Sequence, residues 1–209
     1  MNRLPTVLRQ HIAALRAILV FTVICGIIYP VVMYGVAQAA FPDQANGSVV
    51  SAGGRVVGSS LLCQEFADAK GNPLPRYFQP RASNAVSASD KAGYGCDPRF
   101  SAASNLGPNN PMLRQAVQQR RASIAKFNGV SPSQVPPDAV TSSASGLDPD
   151  ISPQYADIQV NRVAIARHWP AATVRALVGK YTQGRTLGFL GESRVDVLNL
   201  NIALDQLKS

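Results

Sequence analysis

AILVFTVICGIIYPVVMYGVAQAAFP, running from Ala17 to Pro42, decides how this chain is organised. It lies between Arg16 and Asp43 and holds 26 residues without a charge, with Thr22 and Gln38 as the main polar interruptions. As a helix it would cover roughly 39 Å. The hydrocarbon core of a bilayer is about 30 Å, so the stretch can span it with some tilt. Pro30 lacks a backbone donor and predicts a kink, tolerable where local adjustment re-satisfies the freed carbonyl. Ala37-Gln38-Ala39 resembles a signal-peptidase site. Signal cores, however, are about 7–15 residues, and this one is about 20. The reading is an uncleaved transmembrane helix over residues 17–40.

The flanks give the orientation. Residues 1–16 carry Arg3, Arg9 and Arg16 and no acid, which predicts a cytoplasmic N-terminus. Residues 41–209 then form an extracytoplasmic domain. Three of the 20 Lys and Arg precede residue 17 and none of the 12 acids does, so that domain carries +5. Its compartment is oxidising, and Cys63 and Cys96 are candidates for a disulfide. Cys25 falls in the apolar run and reads as a small packing residue.

Composition excludes several classes. Charged residues make up 15% of the chain, against about 25% in soluble domains. At 46% hydrophobic content the chain is not disordered as a whole. Three cysteines and two histidines exclude a disulfide-dense scaffold and a histidine-rich metal centre.

Beyond the anchor, Ser48 to Ser60 reads as a hairpin turning at Gly53-Gly54. Residues 68–110 lack periodicity, and a loop of that length is usually functional or disordered. Pro111 opens a helix capped by Asn109 or Asn110, with Leu113, Val117, Ile124 and Phe127 near one face and Gly129 at its end. Arg114, Arg120, Arg121 and Lys126 cover much of the rest, which a solvated face explains without a nucleic-acid partner. Pro132, Pro136 and Pro137 read as a linker. Ser152-Pro153 starts another helix, bearing Ala156, Val160 and Val163. Pro170 starts a third, with Val174, Leu177, Val178 and Tyr181 as a core stripe and Gly184 as its stop. Leu187 to Gly191 and Arg194 to Leu198 read as strands, and Asn201 as the cap of a last helix through Leu207. The fold class is a single N-terminal transmembrane helix followed by one mixed α/β domain.

No catalytic signature accompanies that fold. There is no Walker-type phosphate loop, nucleophile elbow or zinc-protease motif. His168 is the one histidine of the outer domain, and a hydrolase built on it would need a nucleophile and an acid within reach. Asp148-Pro149-Asp150 offers two carboxylates, fewer oxygens than a hard cation takes. The reading is a protein that is no enzyme by itself, with no metal site and no firmly bound cofactor.

Several ordered motifs together resemble one family. They are Phe41-Pro42-Asp43-Gln44-Ala45-Asn46-Gly47-Ser48; Ser104-Asn105-Leu106-Gly107-Pro108-Asn109-Asn110-Pro111; Ser145-Gly146-Leu147-Asp148-Pro149 with Ile151-Ser152-Pro153; Gln159 with Arg162-Val163-Ala164; and Leu187-Gly188, Leu190-Gly191, Arg194-Val195, Val197-Leu198 and Leu200-Asn201. This set resembles the C subunit of the bacterial Kdp potassium-transporting ATPase, from the anchor to the C-terminus. The chain departs from the family pattern at Asp196, usually Asn, at Cys63, usually Gly, in Gln79-Pro80-Arg81-Ala82-Ser83, and in an insertion around Ala67 to Pro75.

The resemblance implies a non-catalytic accessory subunit of a high-affinity, ATP-driven potassium-uptake complex in the inner (plasma) membrane. Its implied partners are a potassium-channel-like subunit, a P-type ATPase subunit and a small fourth subunit, besides membrane lipid. The family is credited with raising the pump's ATP affinity as a catalytic chaperone, so ATP enters as a ligand of the complex by resemblance. The predicted topology leaves only about 16 residues on the side where ATP is found. A membrane-anchored extracytoplasmic solute-binding module is the alternative function.

Two sets of contact residues follow. Thr22, Gly26 and Pro30 recur every four residues, a spacing that suits packing against another membrane helix. Gln159 and Arg162 stand beside the Val160/Val163 stripe, where polar groups are costly to bury unless partnered. Either they brace the loop of Ser145, Gly146 and Asp148, or they meet another subunit or a nucleotide.

Overall fold

The computed structural model describes residues 5–86 and 95–207. Arg3 lies outside them. The chain divides after Ser48 into two units.

The first unit is a 35-residue helical rod, Thr6–Ala40, the one helix among the described residues long and apolar enough to cross a membrane. It begins well before the uncharged run and includes Arg9 and Arg16. It is α-helical over Thr6–Val23 (α1), π-helical over Ile24–Ile28, and α-helical again over Tyr29–Ala40 (α2). The expected disturbance at Pro30 is thus a widened turn just ahead of it. There the Tyr29 N–H reaches back five residues to the Ile24 carbonyl. That widening makes room for a ring that would otherwise press on the carbonyl four residues earlier. A short helix, Pro42–Ala45 (α3), follows, and the Gln38 and Asn46 amides pair across it.

The second unit opens with the predicted hairpin, Val49–Ala52 (β1) against Arg55–Ser59 (β2). Gly53 and Gly54 both take positive φ at its turn, as a tight two-residue loop demands. Helix α4, Pro111–Asn128, is capped by the Asn110 side chain, which accepts from the Met112 N–H. Gly129 ends it in the left-handed conformation. The proline-rich stretch contains a 3₁₀ turn, Pro132–Gln134, and a short helix, Pro137–Val140 (α5).

Three helices carry the core: Pro153–Arg167 (α6), Ala171–Tyr181 (α7) and Val197–Gln206 (α8). They pack around a small antiparallel sheet of Asp150–Ile151 (β3), Arg194–Asp196 (β5) and Thr182–Gln183 (β4), in that spatial order. Val160, Val163, Val174, Val195, Leu200 and Leu204 are fully enclosed. Helix α6 is central, with buried residues on several faces instead of one stripe.

Three expectations change. Arg194 to Leu198 is a strand only as far as Asp196. The Asp196 carboxylate accepts from the Asn199 N–H and starts α8 five residues earlier than a cap at Asn201 would. Leu187 to Gly191 is no strand either: Thr186 and Leu190 exchange both backbone hydrogen bonds, closing a tight turn. Finally, the described parts of 68–110 are irregular but packed. Phe78, in their midst, is wholly buried, worth about 1.5–3 kcal/mol.

Candidate functional site

Among the described residues no strand pairs with the irregular segment around Phe78, yet its buried backbone polar groups need partners. Side chains supply them. The Asn201 amide of α8 accepts from the Phe78 N–H and donates to the Phe78 carbonyl, both at 2.9 Å. The Gln159 amide of α6 does the same for the next residue, accepting from the Gln79 N–H at 2.8 Å and donating to its carbonyl at 3.1 Å. Two carboxamides thus stand in for a neighbouring strand.

Arg162, one turn along α6, completes the arrangement. Its Nε donates to Asn128 Oδ1 at 2.8 Å, and its Nη1 donates to the Pro75 and Tyr77 carbonyls. Its Nη2 donates to Gln159 Oε1 at 2.7 Å. The guanidinium lies over the Phe127 ring, 4.4 Å from its centroid. Gln159 is 0% exposed and Arg162 8%. Among the described residues no carboxylate pairs with Arg162, so its charge is spread over carbonyl dipoles and a ring face. Burial pulls its pKa down to about 10, which leaves it charged at neutral pH.

Gln159 and Arg162 therefore brace residues 75–79, not the loop of Ser145 to Asp148. That loop is a separate hub. The Ala102 N–H and the Ser101 hydroxyl donate to the Ser145 carbonyl, each at 2.9 Å. The Ser83 hydroxyl donates to the Gly146 carbonyl at 2.6 Å, and the Cys63 N–H to the Leu147 carbonyl at 2.9 Å. Gly146 has φ +73°, and a Cβ there would sit 2.5 Å from the Ala102 carbonyl oxygen. Asp148 accepts from Arg81 Nη1 at 2.7 Å, while Arg81 Nε and Nη2 donate to the Thr141 carbonyl. Cys63 and Cys96 are joined as a disulfide beside this hub.

Between brace and hub lies a cleft of about 240 Å³, lined by Pro80, Ile124, Phe127 and Tyr155 among others, with Arg81 and Gln79 at its polar side. Every guanidinium nitrogen of Arg81 is already used by Asp148 or Thr141. Burial among apolar neighbours pushes the Tyr155 hydroxyl upward. His168 ends α6 in the left-handed conformation, exposed. The depression it borders is lined by Arg76, Ala166, Arg167, Trp169, Leu204, Asp205 and Leu207, with no hydroxyl or thiol among the described residues that line it. Asp150 pairs with Arg194 at 3.1 Å, and no cluster of three or more metal-ligating side chains occurs among the described residues.

The profile of the KdpC family, described as the c chain of the K+-transporting ATPase, matches residues 11–206. The chain belongs to the KdpC family. The potassium-transporting ATPase KdpC subunit of Streptomyces coelicolor is 48% identical over 95% of this chain and 93% of its own length. That of Kineococcus radiotolerans is 46% identical over 96% and 95%, and that of Mycobacterium tuberculosis 46% over 95% and 99%. The KdpC match spans the apolar helix, the brace and the hub alike.

Sequence reasoning missed Asn201 as a brace, along with Asn128, Arg81 and the backbone they hold. One signal pointed to Asn201: it interrupts the apolar positions Leu198, Leu200 and Leu204 of a helix, as Gln159 interrupts its own stripe. Thr22, Gly26 and Pro30 lie on the rod of the first unit. The space beside Gly26 is open apart from Thr22 Cγ2, 3.9 Å from where its Cβ would be.

Proposed function

We propose that this KdpC chain is a non-catalytic, membrane-anchored accessory subunit that assembles with the channel-like and P-type ATPase subunits of the potassium-uptake complex and stabilises them. Membership of the family over residues 11–206 carries the reading. The long apolar helix supports it, since it gives the chain a place in the same membrane. Arg9 and Arg16 on its N-terminal side support a cytoplasmic N-terminus and an extracytoplasmic main domain. Along the anchor, Thr22, Gly26 and Pro30 are the proposed packing positions, because small residues let helices approach closely in lipid.

A direct ATP role for Gln159 and Arg162 finds no support in their surroundings. Both are spent on the backbone of residues 75–79. The solute-binding alternative finds no support in the cleft beside Arg81, because every nitrogen of that guanidinium is already spent on Asp148 or Thr141.

The test is purification of the tagged full chain from membranes grown at limiting potassium. The channel-like and ATPase subunits should accompany it in stoichiometric amounts. Deleting the gene should abolish growth at micromolar potassium, and the wild-type chain should restore it. A chain that purifies alone and is dispensable for that growth would refute the proposal.

A further inference from the structure

An asparagine followed by glycine is a chemically weak link, because the glycine has no side chain to keep its nitrogen from the neighbouring amide. The chain has two such pairs, Asn46-Gly47 and Asn128-Gly129. Each asparagine stands at the end of a helix, α3 or α4, and each side chain is held by both its oxygen and its nitrogen. Asn128 Oδ1 accepts from Arg162 Nε at 2.8 Å, and its Nδ2 donates to the Ile124 carbonyl at 2.8 Å. Asn46 Oδ1 accepts from Gln38 Nε2 at 3.3 Å, while its Nδ2 donates to Gln38 Oε1 at 3.1 Å and to the Pro42 carbonyl at 2.7 Å.

The reaction open to such a pair needs only water and a solvent base. The base takes the glycine amide proton and the freed nitrogen attacks the asparagine Cγ. The Cγ–Nδ2 bond breaks and Nδ2 leaves, with a proton, as ammonia. Water then opens the five-membered ring at either carbonyl, giving aspartate or isoaspartate. Ring closure at Asn46 requires its Cα–C bond to turn until the Gly47 nitrogen eclipses Cβ. The observed ψ of 18° is far from that, and the Gly47 N–H is fixed where it is by the Gln44 carbonyl at 3.2 Å. The clamps thus hold both reacting groups apart, but they differ in strength. Asn128 is 7% exposed and its clamp includes a buried guanidinium. Asn46 is exposed, and its clasp is a pair of neutral amides that water can replace, so it opens locally while the outer domain stays folded.

We infer that Asn46 is a latent modification site gated by Gln38: the closed clasp keeps the Asn46-Gly47 pair inert, and its opening lets Asn46 convert irreversibly to aspartate or isoaspartate. The product is a carboxylate, which cannot donate to Gln38 Oε1 or to the Pro42 carbonyl, so the clasp does not re-form as it was. The isoaspartate form also adds a carbon to the main chain between α3 and β1. The test holds the full-length chain, wild type and Gln38→Ala, in detergent and mildly alkaline buffer, and reads positions 46 and 128 separately by peptide mass spectrometry over time. Alanine keeps the helix and removes only the clasp. Conversion at Asn46 should be roughly tenfold faster in the variant, as loss of two surface hydrogen bonds allows. Asn128 should stay intact in both proteins and serves as the gauge of global unfolding. Equal rates at Asn46 in the two proteins, or no conversion there in either, overturn the inference. Acceleration at both positions alike also overturns it, since unfolding and not the clasp would then control Asn46.

Discussion

Gln159 with Arg162 and the Thr186–Leu190 turn are inversions of each other. In the first, two polar side chains occupy the centre of the domain. In the second, three large apolar ones stand in solvent. The polar pair is stable inside because each nitrogen and oxygen drawn into the brace has a partner at hydrogen-bond distance, and an unsatisfied group, not a polar one, is what costs. The apolar turn has no such internal compensation. The difference separates polar residues that the fold itself accounts for from apolar residues that it does not, and residue type alone would have assigned the two the other way round.

Substitutions can break or sharpen that contrast. The largest effect is expected from Arg162→Ala, which strands Asn128 Oδ1 and the Pro75 and Tyr77 carbonyls together. Thermal or denaturant unfolding of the full chain in detergent should show a loss of about 3–5 kcal/mol. A loss under 1 kcal/mol would mean that water replaces the guanidinium and the brace is not structural. Reduction of Cys63–Cys96, or Cys96→Ser, comes next. The bridge spans 33 residues of sequence, and in the chain-entropy model closing such a loop is worth about 3–4 kcal/mol. Mass spectrometry of protein alkylated without reductant checks that the bond forms.

Gly146→Ala tests the hub without touching the brace. Positive φ and the nearby Ala102 carbonyl together predict a cost of about 2–3 kcal/mol. Phe189→Ser, on the exposed turn, should by contrast unfold within about 0.5 kcal/mol of wild type in the same assay, as surface changes do.

A smaller effect than that at the hub concerns pH. Burial, aided by Asp148 and Asp196 and opposed by Arg194, raises the Asp150 pKa to about 6. An unfolded Asp titrates near 3.9, so the folded state holds this proton more tightly. The resulting stabilisation is complete below about pH 4 and is lost as pH rises through 6. Because the carboxyl is partly solvated, its size is about 1 kcal/mol. Asp150→Asn should flatten the stability profile between pH 4 and 7.

The sequence made local signals plain and cross-chain ones invisible. Gly53-Gly54, Asn110-Pro111, Ser152-Pro153 and Gly129 announce turns and helix ends through backbone preferences carried by the residues themselves. The Val174/Val178 stripe announces a buried face by its period. Nothing local announces that Gln159 meets Gln79, 80 residues away, or that Asn201 meets Phe78 across 123. An amide acting as a surrogate strand has no sequence pattern of its own. Leu187 to Gly191 misled because an apolar run reads as a buried strand by default. Its glycines at 188 and 191, both at positive φ, were the contrary signal.

The widened turn at Ile24–Ile28 alters the geometry of the anchor in one further way. In a regular α-helix each four-residue step overshoots a full circle by about 40°. Thr22, Gly26 and Pro30 would then wind around the rod like treads of a spiral stair. A π-turn places more residues in one revolution, so it absorbs much of that overshoot where the three positions lie. By that count the treads fall closer to a straight line along the axis than regular α-helix geometry would put them. A helix resting in a straight furrow can lie almost parallel to it, whereas a spiral path would force the two to cross.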